Sequence, residues 1–150
     1  MKKNNSILLL DLTQGAMIAA LYVVLTFIAN LAGLASGVIQ LRLSEALTIL
    51  PIFTAAAVPG LAVGCVLANL LTGCAVWDVV FGSLATLIGA IGTRLLRKKS
   101  PVLAVLPPIL ANAIIVPLVL QRVYGVSDAY WYLAMTVGAG EIISCGILGL

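Results

Sequence analysis

Three uncharged stretches constrain this chain more than any other feature: 30 residues separate Asp11 from Arg42, 32 separate Glu45 from Asp78, and 22 separate Lys99 from Arg122. Each can cross a bilayer, whose hydrocarbon core takes about 20 apolar residues of helix. Without water to bond exposed backbone groups, such stretches read as transmembrane helices. Composition rules out a soluble domain: 63% of residues are hydrophobic and 9% charged, against about 45–50% and 25% in soluble proteins. Lys2 and Lys3 precede an apolar run, but no soluble domain follows it, so it reads as a first span and not as a secretory signal. The expectation is an all-α, polytopic membrane protein, with 1–150 a single integral membrane domain and residues 1–11 a short cytoplasmic N-terminus.

Several functions are excluded by what is missing. There is no histidine, which removes His proton relays, His-ligated metals and Ser-His-Asp catalysis. The net charge of +3 does not indicate nucleic-acid binding, because four of the eight basic residues are Arg94, Arg97, Lys98 and Lys99. Such a cluster beside a span is a cytoplasmic anchor under the positive-inside rule. Cys65, Cys74 and Cys145 form no CxxC pair and read as small packing residues. No GxxxxGK[ST] occurs, so the chain carries no ATPase of its own. No enzyme activity, cofactor or metal site is expected.

Six spans are predicted. The first runs from about Leu12 to Ala35, ending where Gly33 and Ala35-Ser36-Gly37 open a loop. The second covers Leu41 to Val58, kinked by Pro51 and ended by Pro59-Gly60; the third covers Leu61 to Val76. Trp77 and Asp78 then read as an interfacial aromatic beside a charged loop residue. Val79 to Leu96 is the fourth, and Pro101 to Leu120 the fifth. Its Pro107, Pro108 and Pro117 are tolerated if neighbours satisfy the freed carbonyls. The sixth follows the aromatic triplet Tyr130-Trp131-Tyr132 and runs to Leu150. Placing Lys2, Lys3 and the Arg94–Lys99 cluster on one side requires an even number of crossings between them, which four satisfy and a merged five-span arrangement does not.

Polar groups inside spans mark candidate function, since an ionisable side chain at mid-membrane costs about 2.5–3.5 kcal/mol or more. Glu141 lies about 15 Å into the last helix, close to the membrane centre. Arg42 and Glu45, three residues apart, share a helix face and either pair with each other or grip a ligand. Asn69 and Asn112 fall near mid-span, where each is a ligand group or helix-helix glue. Together with Asn30 they populate the middle and outer membrane, as a pocket open to the outside requires. Carboxylates, amides and aromatics suit a flat hydrogen-bonding heterocycle with a guanine-like edge. Trp77 is a stacking lid or an interfacial anchor. Gly15, Ala16, Ala19 and Ala20 form a small-residue patch that another helix can approach closely.

The stretches GLASGVIQLRLSEALTILPIF (33–53) and PGLAVGCVLANLLTGCAVWDVVFGSLATLIGAIGTRLLRKK (59–99) resemble the QueT family of queuosine-precursor transporters, from about Gly15 to Gly149. The resemblance implies a six-helix substrate-binding S-component of an energy-coupling factor (ECF) transporter in the plasma membrane. Such a subunit captures queuine or a related 7-deazaguanine from outside and docks on a T-component served by two cytoplasmic ATPases. It implies a docking face at Gly15, Ala16, Ala19 and Ala20. It also implies a substrate site at Arg42, Glu45, Asn69, Trp77 and Asp78, to which membrane depth adds Asn112 and Glu141. In that site Glu141 or Glu45 takes the N–H edge of the base, Asn112 or Asn69 the carbonyl side, and Trp77 stacks. Only nine residues follow Glu141, about 14 Å of helix, so the last helix is expected to be cut short relative to the family.

Competing readings are an S-component for another vitamin or purine, and a stand-alone ion-coupled transporter with Glu141 as its proton site. An intramembrane enzyme finds no reactive constellation here.

Overall fold

The computed structural model describes residues 2–34 and 40–150, which fold as helices with no strand among the described residues. The expected loop at Ala35-Ser36-Gly37 lies outside the described residues. Helix α1 spans Lys2–Leu31, so the expected N-terminal tail is already helical. A 3₁₀ helix follows at Leu43–Ile52, then α2 at Ala57–Leu71, α3 at Val76–Leu96, α4 at Pro101–Ala104, α5 at Leu106–Arg122 and α6 at Tyr130–Glu141, which continues as a π-helical segment, Ile142–Ile147. Three stretches are long and apolar enough to cross a membrane: Asn5–Leu31, Val76–Leu96 and Pro101–Arg122. Large apolar side chains such as Leu8, Leu12, Val76, Val102 and Trp131 face outward, while Ser44, Thr48, Thr86, Asn112 and Glu141 are buried. An apolar exterior around a polar interior belongs in lipid, because water does not tolerate contiguous apolar surface on this scale. The protein is a membrane protein.

The second segment departs from the expected α-helix, for a reason visible in its spacing. Arg42, Glu45, Thr48 and Pro51 recur every third residue. A 3₁₀ helix turns once per three residues and stacks them on one face, whereas an α-helix would rotate each successive member away. Glu45, Thr48 and Pro51 are accordingly all buried. The helix stops at Ile52, where the Arg94 guanidinium donates to the Pro51 and Ile52 carbonyls at 3.0 and 3.4 Å. Arg94 therefore closes the end of this helix besides belonging to the basic cluster.

Pro59 corrects a boundary. It lies in the first turn of α2 and does not end the preceding span, because a first-turn residue has no intrahelical N–H bond to lose. Trp77 and Asp78 likewise belong to the first turn of α3 and not to a loop. There the acidic side chain meets the positive end of the helix dipole. The fifth span is broken at Val105. Pro108 has no N–H for the Ala104 carbonyl four residues back, and the Thr93 hydroxyl donates to that carbonyl at 2.8 Å.

Small residues set the closest helix contacts. Gly60 and Gly64, one turn apart on α2, meet Gly15 and Ala19, one turn apart on α1. A Cβ on Gly60 would sit 2.7 Å from the Gly15 carbonyl oxygen, and one on Gly64 would sit 2.8 Å from Tyr22 Cβ. Such pairs let two backbones touch. Gly89 plays the same part for α3, resting against Pro108 of α5. Half of the predicted docking patch is thus occupied within the bundle: Gly15 and Ala19 face α2, while Ala16 and Ala20 stay exposed.

Candidate functional site

A cavity of about 440 Å³ opens at the end of the bundle opposite the basic cluster. It lies between the C-terminal parts of α1, α2 and α5 and the starts of the 3₁₀ helix and α3. On α1, Tyr22, Thr26 and Asn30 line it at four-residue spacing, a polar stripe on the otherwise apolar second half of the helix. Of the residues expected to bind substrate, Arg42, Asn69 and Asp78 reach its wall. The Arg42 guanidinium has no hydrogen-bond or ion-pair partner among the described residues.

Asp78 is fixed by its neighbours. The Tyr124 hydroxyl donates to Asp78 Oδ2 at 3.0 Å and accepts the Ala75 backbone N–H at 3.2 Å. Burial pushes the Tyr124 phenol above its ordinary value, so it keeps the proton it donates. Gly82 leaves room beside both cavity groups: a Cβ there would lie 3.3 Å from Asn69 Nδ2 and 3.5 Å from Asp78 Oδ1.

Beneath the cavity lies a sealed polar layer that unites the other predicted residues. Glu45 and Asn112 are fully buried and Glu141 is 3% exposed. Tyr22, whose side chain also borders the cavity, donates its hydroxyl proton to Glu45 Oε1, and Thr86 Oγ1 approaches the same oxygen at 3.4 Å. Cys145, one turn beyond Glu141, donates to Glu141 Oε2 at 3.2 Å. One donor atom each from Glu45, Glu141 and Cys145 falls within 4.8 Å of the others, close enough to hold a cation. Among the described residues, Glu45 Oε2 and both polar atoms of the Asn112 amide have no partner at full hydrogen-bond geometry, although the amide adjoins both carboxyls. Buried polar groups are normally satisfied, and leaving one unsatisfied costs about 1–3 kcal/mol.

Trp77 is not brought to this site. It is 60% exposed and its ring stacks on Phe81 at 6.0 Å, one turn along the outer face of α3. Tyr22 and Tyr124 are site residues that the sequence alone did not single out. The Tyr22-Thr26-Asn30 spacing was a legible signal for the first; nothing local marks the second, which comes from the loop after α5.

Together these features define an α-helical membrane protein with a polar-lined cavity at one end of its bundle. The family model described as QueT transporter matches residues 12–150, and the chain belongs to that family, whose members are transporters and not enzymes. Over 78 residues it is 37% identical to the queuosine precursor transporter QueT of Lactococcus lactis subsp. cremoris (strain MG1363). That match covers 52% of this chain and 46% of the relative, less than half of its length. No solved structure matches.

Proposed function

We propose that this protein is the substrate-binding S-component of an ECF importer, capturing a queuosine precursor of the 7-deazaguanine class from outside the cell. The observation that carries the reading is the 440 Å³ cavity with Arg42, Asn69 and Asp78 on its wall, in a chain of the QueT transporter family. The volume suits one fused ring system with a short arm, at the lower end of the range for ligand pockets. Arg42 and Asn69 offer donors to the base carbonyl and ring nitrogen. Glu45 serves from below by holding Tyr22, Asn112 and Glu141 lie in the same buried layer, and Trp77 anchors the outer interface.

Six crossings with the N-terminus inside agree with the positive-inside rule. Two hydrogen bonds support this topology by tying the same end together: Thr54 to Gln14 of α1 at 2.8 Å, and Arg94 of α3 to Pro51. With that end cytoplasmic, the cavity faces outward across the plasma membrane. Delivery then falls to a T-component driven by two ATPases, with exposed Ala16 and Ala20 on the docking face.

Thermal unfolding of the purified protein in detergent tests the cargo. A ligand at a hundred times its Kd adds about 2.7 kcal/mol of stability. Stabilisation by deazaguanines but not by riboflavin is expected, and no shift with any deazaguanine overturns the substrate. For the partners, co-purification with a T-component and ATPases is expected; uptake by the chain alone in liposomes would instead make it an ion-coupled transporter.

A further inference from the structure

The 3₁₀ helix Leu43–Ile52 is ten residues long, whereas runs beyond roughly three or four residues are uncommon because their hydrogen bonds are poorly aligned. Contacts from outside the segment must therefore hold it. Along its buried face Thr26 donates to Ser44 at 3.0 Å, Tyr22 donates to Glu45, and Thr48 donates to Cys145 Sγ at 3.3 Å. At its last turn the Arg94 guanidinium takes the Pro51 and Ile52 carbonyls at 3.0 and 3.4 Å. Pro51 adds to the bias, since in an α-helix its ring would clash with the carbonyl four residues back.

That clamp reaches beyond its own contacts. The 3₁₀ helix and α3 run in the same direction, away from the cavity. Arg42 and Ser44 line the cavity together with Asp78 from the first turn of α3, and Pro51 and Ile52 meet Arg94 in the last turn of α3. From Leu43 to Ile52 the chain rises about 18 Å as a 3₁₀ helix but about 14 Å as an α-helix, and makes about three turns instead of two and a half. Relaxation toward α would draw one end in by about 4 Å and rotate it by about half a turn. With the far end fixed to α3, the near end keeps its register against Asp78 on that same helix. Arg94 also differs from the rest of the basic cluster: it is half-buried, while Arg97, Lys98 and Lys99 are exposed. Accepting the reading that the cavity binds a 7-deazaguanine, we infer that Arg94, at the opposite end of the bundle, is a positioning residue for the cavity: through the 3₁₀ helix, its hold on Pro51 and Ile52 keeps Arg42 and Ser44 on the cavity wall.

Two measurements on the purified full chain in detergent test this. Without ligand, hydrogen exchange of Arg94→Gln is compared with wild type along residues 43–54. Faster exchange is expected along the whole helix, including Leu43 to Ala46 at the cavity end; a change confined to residues 50–54 makes Arg94 a local cap and overturns the inference. With a 7-deazaguanine, Arg94→Gln is expected to raise Kd about tenfold, the size of a lost hydrogen bond to a charged group, and Arg94→Lys, which keeps a charged donor, to recover part of the loss. Arg42→Gln should then cost little in the Arg94→Gln background, because Arg42 has already left the wall, whereas Asn69→Ala on α2 should cost the same in both backgrounds. An unchanged Kd with a lowered Tm, or fully additive losses with Arg42→Gln, overturns the inference and leaves the deazaguanine reading standing. Should Arg94→Gln fail to fold, Arg94→Lys carries both measurements with the same direction and a smaller effect. If no deazaguanine binds folded wild-type protein, the substrate reading falls, and the exchange pattern alone decides whether Arg94 sets the cavity wall.

Discussion

Removing one oxygen from the sealed layer tests how the cavity floor is held. Tyr22 is 2% exposed and Glu45 fully buried, and the tyrosine hydroxyl is the close donor to Glu45 Oε1, with Thr86 at 3.4 Å and Oε2 already without a partner among the described residues. Tyr22→Phe keeps the ring and its packing on α2 but leaves a buried acceptor with one long contact. The penalty for such an orphaned group is about 1–3 kcal/mol. For a chain of this size one kcal/mol moves Tm by about 2–4 °C, so a fall of roughly 2–12 °C is expected in ligand-free thermal unfolding. Glu45→Gln and the double variant complete a cycle. Because the two groups touch, the double variant should be destabilised by less than the sum of the singles, with a coupling of about 0.5–3 kcal/mol. A Tm change below about 1 °C for Tyr22→Phe, or strict additivity, would refute the argument that this contact closes the layer.

Three further outcomes follow from particular contacts. Gly60→Ala places a methyl 2.7 Å from the Gly15 carbonyl oxygen and should cost about 1–3 kcal/mol, whereas Gly138→Ala, with its nearest neighbour at 3.6 Å, should be neutral or stabilising by up to about 1 kcal/mol; paired melting curves check both. Asn112→Leu removes an amide that has no partner at full hydrogen-bond geometry among the described residues and should leave Tm unchanged or raised while weakening ligand binding; a loss of more than about 1 kcal/mol would make the amide a structural link. Glu141→Gln alters the buried layer beneath the cavity and should weaken deazaguanine binding in a titration, and retained affinity would show that this layer does not support the cavity.

Much of the candidate site was legible residue by residue, because an ionisable or amide group within an apolar run is conspicuous. Arg42, Asn69 and Asp78 reach the cavity, and Glu45, Asn112 and Glu141 meet below it. Their partition into two tiers was not legible. Membrane depth placed Glu141 near the centre, but only the packing of α6 against its neighbours put its carboxylate beside Glu45 and out of the cavity. Trp77 shows the same limit from the other side: next to Asp78 in sequence, it points to the opposite face of α3.

The uncharged runs by themselves determined that the chain is helical and membrane-embedded, since their length and the need to satisfy every backbone group in lipid admit little else. The period of three from Arg42 to Pro51 also carried the face that the 3₁₀ helix buries, and Pro108 and the helix ends carried the need for outside donors. Which donors those are, Thr93 for Ala104 and Arg94 for Pro51, was decided by tertiary contact. So was the use of Gly15 and Ala19 against Gly60 and Gly64. The physical reason is that a helix apolar on every side has no hydrophobic stripe to orient it. Lipid and protein interior are nearly alike to a leucine, so the rotation of each helix, and with it the geometry of the site, rests on steric fit and a few hydrogen bonds between distant residues.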